Sequence, residues 1–100
     1  MNEKLRTDAV RHMFEAVLTL QNEEECFAFF EDLCTVNELH ALSQRYEVAA
    51  MLHDKKTYLE IAEKTGASTA TISRVNRSLH YGNGAYEVVF ARLSGEEASS

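Results

Sequence analysis

Thr57-Tyr58-Leu59-Glu60-Ile61-Ala62-Glu63-Lys64-Thr65-Gly66-Ala67-Ser68-Thr69-Ala70-Thr71-Ile72-Ser73-Arg74-Val75-Asn76-Arg77 is the stretch that decides the fold. It reads as two short helices around a tight turn. Thr57 followed three residues later by Glu60 is a capping box, which starts a helix running to about Thr65. Gly66 ends it, because a left-handed residue is needed there and glycine adopts that conformation without penalty. Ser68 is a strong N-cap for the next helix, about Thr69 to Leu79. Ala62 keeps the helix crossing close, and Ile61, Ala67, Ile72 and Val75 are spaced to form one small core between the helices. The pattern is a helix-turn-helix over residues 57–79.

Working outward, the chain has no proline, and its four glycines all lie after residue 65. That favours long helices in the first two thirds. Val10, Met13, Phe14, Val17 and Leu18 share one face of a first helix, about Thr7 to Leu20. Asn22 with Glu25 starts a second, acidic in its first turn (Glu23, Glu24, Glu25) and carrying Cys26, Phe27, Phe29, Phe30 and Leu33. Thr35 with Glu38 starts a third that reaches about Leu52, with Leu39, Leu42, Tyr46, Ala49 and Leu52 on its inner face. After the helix-turn-helix, Tyr81-Gly82-Asn83-Gly84 is a loop and Ala85 to Leu93 a sixth helix. Strand signals are weak. The expectation is an all-α, six-helix single domain over residues 1–100, with a frayed polar tail at 94–100. The first two helices carry more large apolar residues than a chain of 100 residues can hide, so burial against a second copy is expected.

The net charge of −6 is unevenly spread. Residues 1–54 carry four Lys/Arg against eleven Asp/Glu, and residues 82–100 one against three; residues 55–81 carry five against two. The basic segment therefore coincides with the helix-turn-helix. DNA affinity follows local neutralisation of phosphates, so the whole-chain charge does not exclude it. In this motif the amino end of the second helix faces base edges in the major groove. Thr69, Ala70 and Ser73 are the expected base-facing residues: small, with hydroxyls for hydrogen bonds and methyls for thymine. Lys55, Lys56, Lys64 and Arg77 suit phosphates, as does the backbone N–H of Thr57 at a helix start. The partner implied is double-stranded DNA. The competing reading is a helical protein-interaction module that reuses the same geometry.

Other classes find little support. No convergent nucleophile–base or carboxylate pair and no glycine-rich phosphate loop is present, so no enzyme is expected. Cys26 and Cys34 match neither a disulfide framework nor a zinc pattern, and read as reduced cysteines packed in helices. No apolar run approaches the ~20 residues of a membrane span, and Met1 to Ala9 lacks the apolar stretch of a secretory signal. A cytoplasmic protein without membrane contact is expected.

Ala67-Ser-Thr-Ala-Thr-Ile-Ser-Arg-Val-Asn-Arg-Ser-Leu79 resembles the recognition-helix region of the Trp repressor superfamily, and Thr35-Val-Asn-Glu-Leu-His-Ala-Leu-Ser-Gln-Arg45 resembles its central helix. The likeness runs over about residues 8–93, and the whole sequence looks like the TrpR-like YerC/YecD group. This resemblance implies a six-helix, intertwined homodimer with two reading heads ~34 Å apart, one DNA turn, and a transcriptional repressor that occupies promoter DNA. It also implies a ligand pocket at Thr35, Arg45, Thr71, Arg74, Val75 and Ser78. In the Trp repressor the indole lies between two arginines, matched here by Arg45 and Arg74. The glycine that makes room for it is replaced here by Val75. A branched side chain in that space disfavours a flat ligand, so tryptophan is not expected as a cofactor: either a different small ligand binds, or Val75 fills the pocket, no cofactor is used and the reading heads are permanently set. Two basic positions of the Trp repressor's first motif helix correspond to Leu59 and Ala62, so its operator sequence does not carry over.

Overall fold

The computed structural model describes residues 3–95. After a single 3-10 turn at Glu3–Leu5, six helices follow: α1 (Asp8–Val17), α2 (Glu23–Leu33), α3 (Val36–His53), α4 (Tyr58–Thr65), α5 (Thr69–Tyr81) and α6 (Ala85–Leu93). The described residues contain no strand, and none of their helices is long and apolar enough to cross a membrane. The all-α, six-helix expectation holds. Of the expected tail, Ser94 closes α6 by donating its N–H to the Phe90 carbonyl, and residues 96–100 lie outside the described residues.

The caps start the helices where side-chain chemistry says they should. Thr35 and Glu38 exchange hydrogen bonds of 2.8 and 3.0 Å, and Glu60 N–H donates to Thr57 Oγ1 at 3.1 Å while Glu60 Oε1 accepts from Thr57 N–H. Asn22 Oδ1 accepts from Glu25 N–H at 2.9 Å, but the return bond differs from a capping box: Glu25 reaches Gln21 N–H. The helix ends depart more from expectation. α1 stops at Val17, because Thr19 and Leu20 tighten into i→i+3 bonds on Ala16 and Val17. α5 runs two residues further than expected, to Tyr81, and stops at Gly82. A Cβ at Gly82 would collide with the Ser78 carbonyl oxygen, so the end of α5 needs a glycine.

Backbone contacts divide the chain into two compact units, Met1–Leu39 and His40–Ser100. In the first unit no described residue of α1 or α2 is buried. Phe29 and Phe30 meet edge to face at 5.5 Å and are half-buried. Leu18 is 83% and Phe27 56% exposed, with Met13, Phe14 and Leu33 also open. Both cysteines are free thiols, but the expected packing within helices is not found: Cys26 is exposed on α2, and Cys34 is half-buried at the extended C-cap that ends α2.

The second unit has a closed core. Val48 and Ala49 of α3, Ile61 of α4, Ala67 of the turn and Ile72 and Val75 of α5 are its buried residues, flanked by Met51, Leu52, Ala62, Tyr86 and Phe90. The four core positions expected within the helix-turn-helix stretch are all buried. On α3 the expectation needs correction. Val48 is a core residue, and Leu42 is 44% exposed although it lies two turns before Ala49 on the same face. Cover over that face thus ends along the helix axis before Leu42. On α6, Phe90 gathers Tyr46, His53 and Tyr86 at ring distances of 5.9, 4.7 and 5.9 Å.

Candidate nucleic-acid interface

The interface candidate is built on α4, the turn 66–68 and α5. Gly66 has φ 74°, the left-handed conformation the turn requires, and its N–H donates to the Ala62 carbonyl. The turn is then pinned from both sides by Thr65. Its hydroxyl donates to the Ile61 carbonyl at 2.7 Å and accepts from the Ala67 N–H at 3.1 Å. From α3, the Gln44 side-chain amide donates to the Thr65 carbonyl at 3.1 Å. Ser68 Oγ accepts from the Thr71 N–H at 3.1 Å and lies 3.1 Å from the Thr71 hydroxyl, which starts α5 at Thr69. With Ile72 and Val75 sunk into the core below, the orientation of the first turn of α5 is over-determined.

The expected base-facing residues divide in accessibility. Thr69 and Ala70 are exposed at the start of α5, and Ser73, one turn on, is half-buried. The expected phosphate contacts Lys55, Lys56, Thr57, Lys64 and Arg77 are all exposed. Lys55 has φ 67°, and among the described residues it is the only non-glycine with positive φ. It occupies the left-handed position after α3: Lys55 N–H donates to the Leu52 carbonyl and Lys56 N–H to the Met51 carbonyl, both at 3.0 Å. This is a Schellman motif closed without glycine. It delivers Lys55 and Lys56 immediately before the cap of α4.

The expected ligand-pocket residues have mixed surroundings. Val75 is 3% exposed and committed to the core. Arg45 and Thr71 are half-buried, while Arg74, Ser78 and Thr35 are exposed. Thr35 serves as the cap of α3. Among the described residues of the second unit, three of the grooves are as follows. One of about 520 Å³ is bordered by Tyr46, His53, Asp54, Glu87, Phe90 and Leu93; the other two lie along α3 and α4, around His40, Gln44 and Thr65 and around Met51, Glu60 and Glu63. None of the three is lined by Arg45, Arg74 or Val75. Among the described residues no group of three or more His, Cys, Asp or Glu is placed to hold a metal ion.

Sequence reasoning missed three features of this region. Gln44 gives no signal in sequence, since a glutamine on a helix is most often solvated. The Thr65 hydroxyl was legible only as part of a helix end. In sequence Leu59 registers only as the absence of a basic residue, whereas it stands 70% exposed in the first turn of α4.

Residues 8–94 match the family model described as Trp repressor protein. The chain belongs to the Trp repressor family. YerC of Bacillus subtilis, a protein of uncharacterised function, is 51% identical over 98 residues, covering 98% of this chain and 94% of its own length. Among solved structures, a TrpR-like protein from Eubacterium eligens superposes with a TM-score of 0.90 at 61% identity, covering 96% of this chain and 99% of that one. A protein from Staphylococcus aureus described as a candidate Trp repressor gives a TM-score of 0.88 at 55% identity, with 92% of both chains covered. The family resemblance noted in the α3 and α5 segments thus extends over residues 8–94.

Proposed function

We propose that this member of the Trp repressor family is a homodimeric, sequence-specific DNA-binding transcriptional regulator. It represses by occupying promoter DNA in the cytoplasm, and tryptophan does not control it. α4 and α5 act as a helix-turn-helix, with Thr69, Ala70 and Ser73 toward the bases and Lys55, Lys56, Thr57, Lys64 and Arg77 toward phosphates. The observation that carries this reading is the exposed, uncharged first turn of α5, held by the buried Ile72 and Val75 inside the chain's net-positive segment. Small side chains there permit close approach to base edges, and flanking cations supply affinity. Dimerisation is supported by the first unit, whose α1 and α2 have no fully buried residue among those described and expose Phe14 and Phe27, with Leu18 exposed at the end of α1. An apolar surface of that kind is characteristic of an association face. The resemblance puts the tryptophan position at Val75, and the burial of that side chain in the core supports the reading that tryptophan does not control the protein.

The test is duplex binding across a salt series. Counterion release makes log affinity fall linearly with log salt, by about 0.9 per phosphate contacted. Binding that is absent, or indifferent to salt, overturns the reading.

A further inference from the structure

We propose that Asn83 is a site of spontaneous covalent modification, where the side-chain amide is lost as ammonia through a cyclic imide formed with Gly84. Both residues are exposed in the link between α5 and α6. Neither the Asn83 side-chain amide nor the Gly84 N–H makes a hydrogen bond among the described residues. Gly84 has φ 79°, and a Cβ built there meets nothing within 4 Å, so its nitrogen is open and has no side chain beside it. Deprotonated, that nitrogen attacks Asn83 Cγ; a five-membered ring closes and ammonia leaves. Water then opens the ring at either carbonyl. One product carries aspartate at 83, the other isoaspartate, in which the main chain runs through the former side chain. The other described asparagines are held differently. Asn22 Oδ1 accepts from Glu25 N–H, the Glu38 N–H after Asn37 donates to Thr35 Oγ1, and Asn76 lies inside α5. The consequence falls on α6. Gly82 is fixed to the end of α5, since its N–H donates to the Ser78 carbonyl against which it is pressed. Asn83 and Gly84 hold the remaining slack before α6 starts at Ala85. Isoaspartate adds one methylene, about 1.5 Å of main chain. The added length displaces α6 from its seat, where Phe90 meets Tyr46 and His53 at 5.9 and 4.7 Å.

The experiment ages the full chain in mildly alkaline buffer, which deprotonates more of the attacking nitrogen, and then digests it with trypsin. The peptide Ser78–Arg92 should gain the mass difference between an amide and an acid, and separate into two species of equal mass. Asn22, Asn37 and Asn76 should keep their amides. Conversion in the folded chain should keep pace with that of the same segment as a synthetic peptide. The isoaspartate form of the chain should melt at a lower temperature than fresh wild type. Freshly prepared Asn83→Asp carries the charge without the added main chain and should melt as wild type does. Aged Asn83→Gln, which would have to close a larger ring, should change in neither mass nor melting. A folded chain that keeps its Asn83 amide while the synthetic peptide loses it overturns the site. An isoaspartate form that melts as wild type does, or a fresh Asn83→Asp chain that melts equally low, overturns the displacement of α6 by main-chain length.

Discussion

The Gln44 side chain of α3 donates to the backbone carbonyl of Thr65, 21 residues away, at 3.1 Å. That carbonyl belongs to the last residue of α4, where no intrahelical N–H is available to it. The same residue holds Ala67 N–H on its hydroxyl. One amide from α3 therefore sets the base of the turn from which α5 departs. Gln44→Ala leaves a part-buried carbonyl unpaired and should cost about 1–2 kcal/mol of stability, read as a lower denaturation midpoint. Gln44→Glu exchanges a donor for an acceptor facing a carbonyl oxygen and should cost more. Equal stability of wild type and Gln44→Ala would show that solvent replaces the bond.

Lys55 pays a conformational penalty for its place. A non-glycine residue in the left-handed region costs about 1 kcal/mol or more, and glycine relieves it. Lys55→Gly should therefore raise unfolding stability by about 1 kcal/mol while weakening DNA binding and lowering the salt slope by about one unit. Opposite signs in the two assays separate a phosphate contact from a merely structural residue. A more stable variant with unchanged affinity would remove Lys55 from the interface.

Gly66 is needed for its backbone alone. Its φ of 74° lies in the left-handed region, and a Cβ built there meets nothing within 4 Å. Gly66→Ala should cost about 1–2 kcal/mol, whereas Gly66→Asn, which tolerates this conformation better, should cost less. Gly82 is a different case, since a Cβ collides with the Ser78 carbonyl. Asparagine should rescue position 66 and fail at 82, and thermal melts of Gly66→Ala, Gly66→Asn, Gly82→Ala and Gly82→Asn test the contrast.

How much of this was legible in sequence depends on the range of the forces involved. Capping boxes and the glycine stop act over three or four residues, so Thr35, Thr57, Gly66 and Ser68 could be read directly. The four-residue core of the α4–α5 stretch followed from spacing, because two short helices sharing one turn leave few ways to pack. α3 was harder. It carries apolar residues on several faces, and periodicity alone does not say where cover begins along its axis, so the spacing places Leu42 inside and gives no sign of Val48. A left-handed lysine has no local signature in Asp54-Lys55-Lys56. The Gln44–Thr65 bond joins residues that only the tertiary fold brings together.

The first unit carries the dimer prediction. Phe14 and Phe27 are exposed on helices with no fully buried residue among those described, and burying a phenylalanine contributes about 1.5–3 kcal/mol. Wild type should run in solution at twice the mass of one chain at micromolar concentration. Phe27→Glu should shift it toward monomer or unfold the first unit, and helix content by circular dichroism distinguishes the two. A wild-type monomer at that concentration would contradict the homodimer.

Val75 decides the effector question. Its side chain is 3% exposed and packs with Val48, Ala49, Ile61 and Ile72, so it is committed to the protein interior. Val75→Ala should cost about 2 kcal/mol, the transfer term of the lost groups plus a cavity. With wild type, calorimetric titration of L-tryptophan should give no saturable heat, and operator affinity should be the same with and without the amino acid. The two measurements are linked, since a ligand that shifts DNA affinity must itself bind with a correspondingly altered constant. Saturable tryptophan binding accompanied by a change in DNA affinity would mean that Val75 yields the space, and would restore the tryptophan switch to this chain.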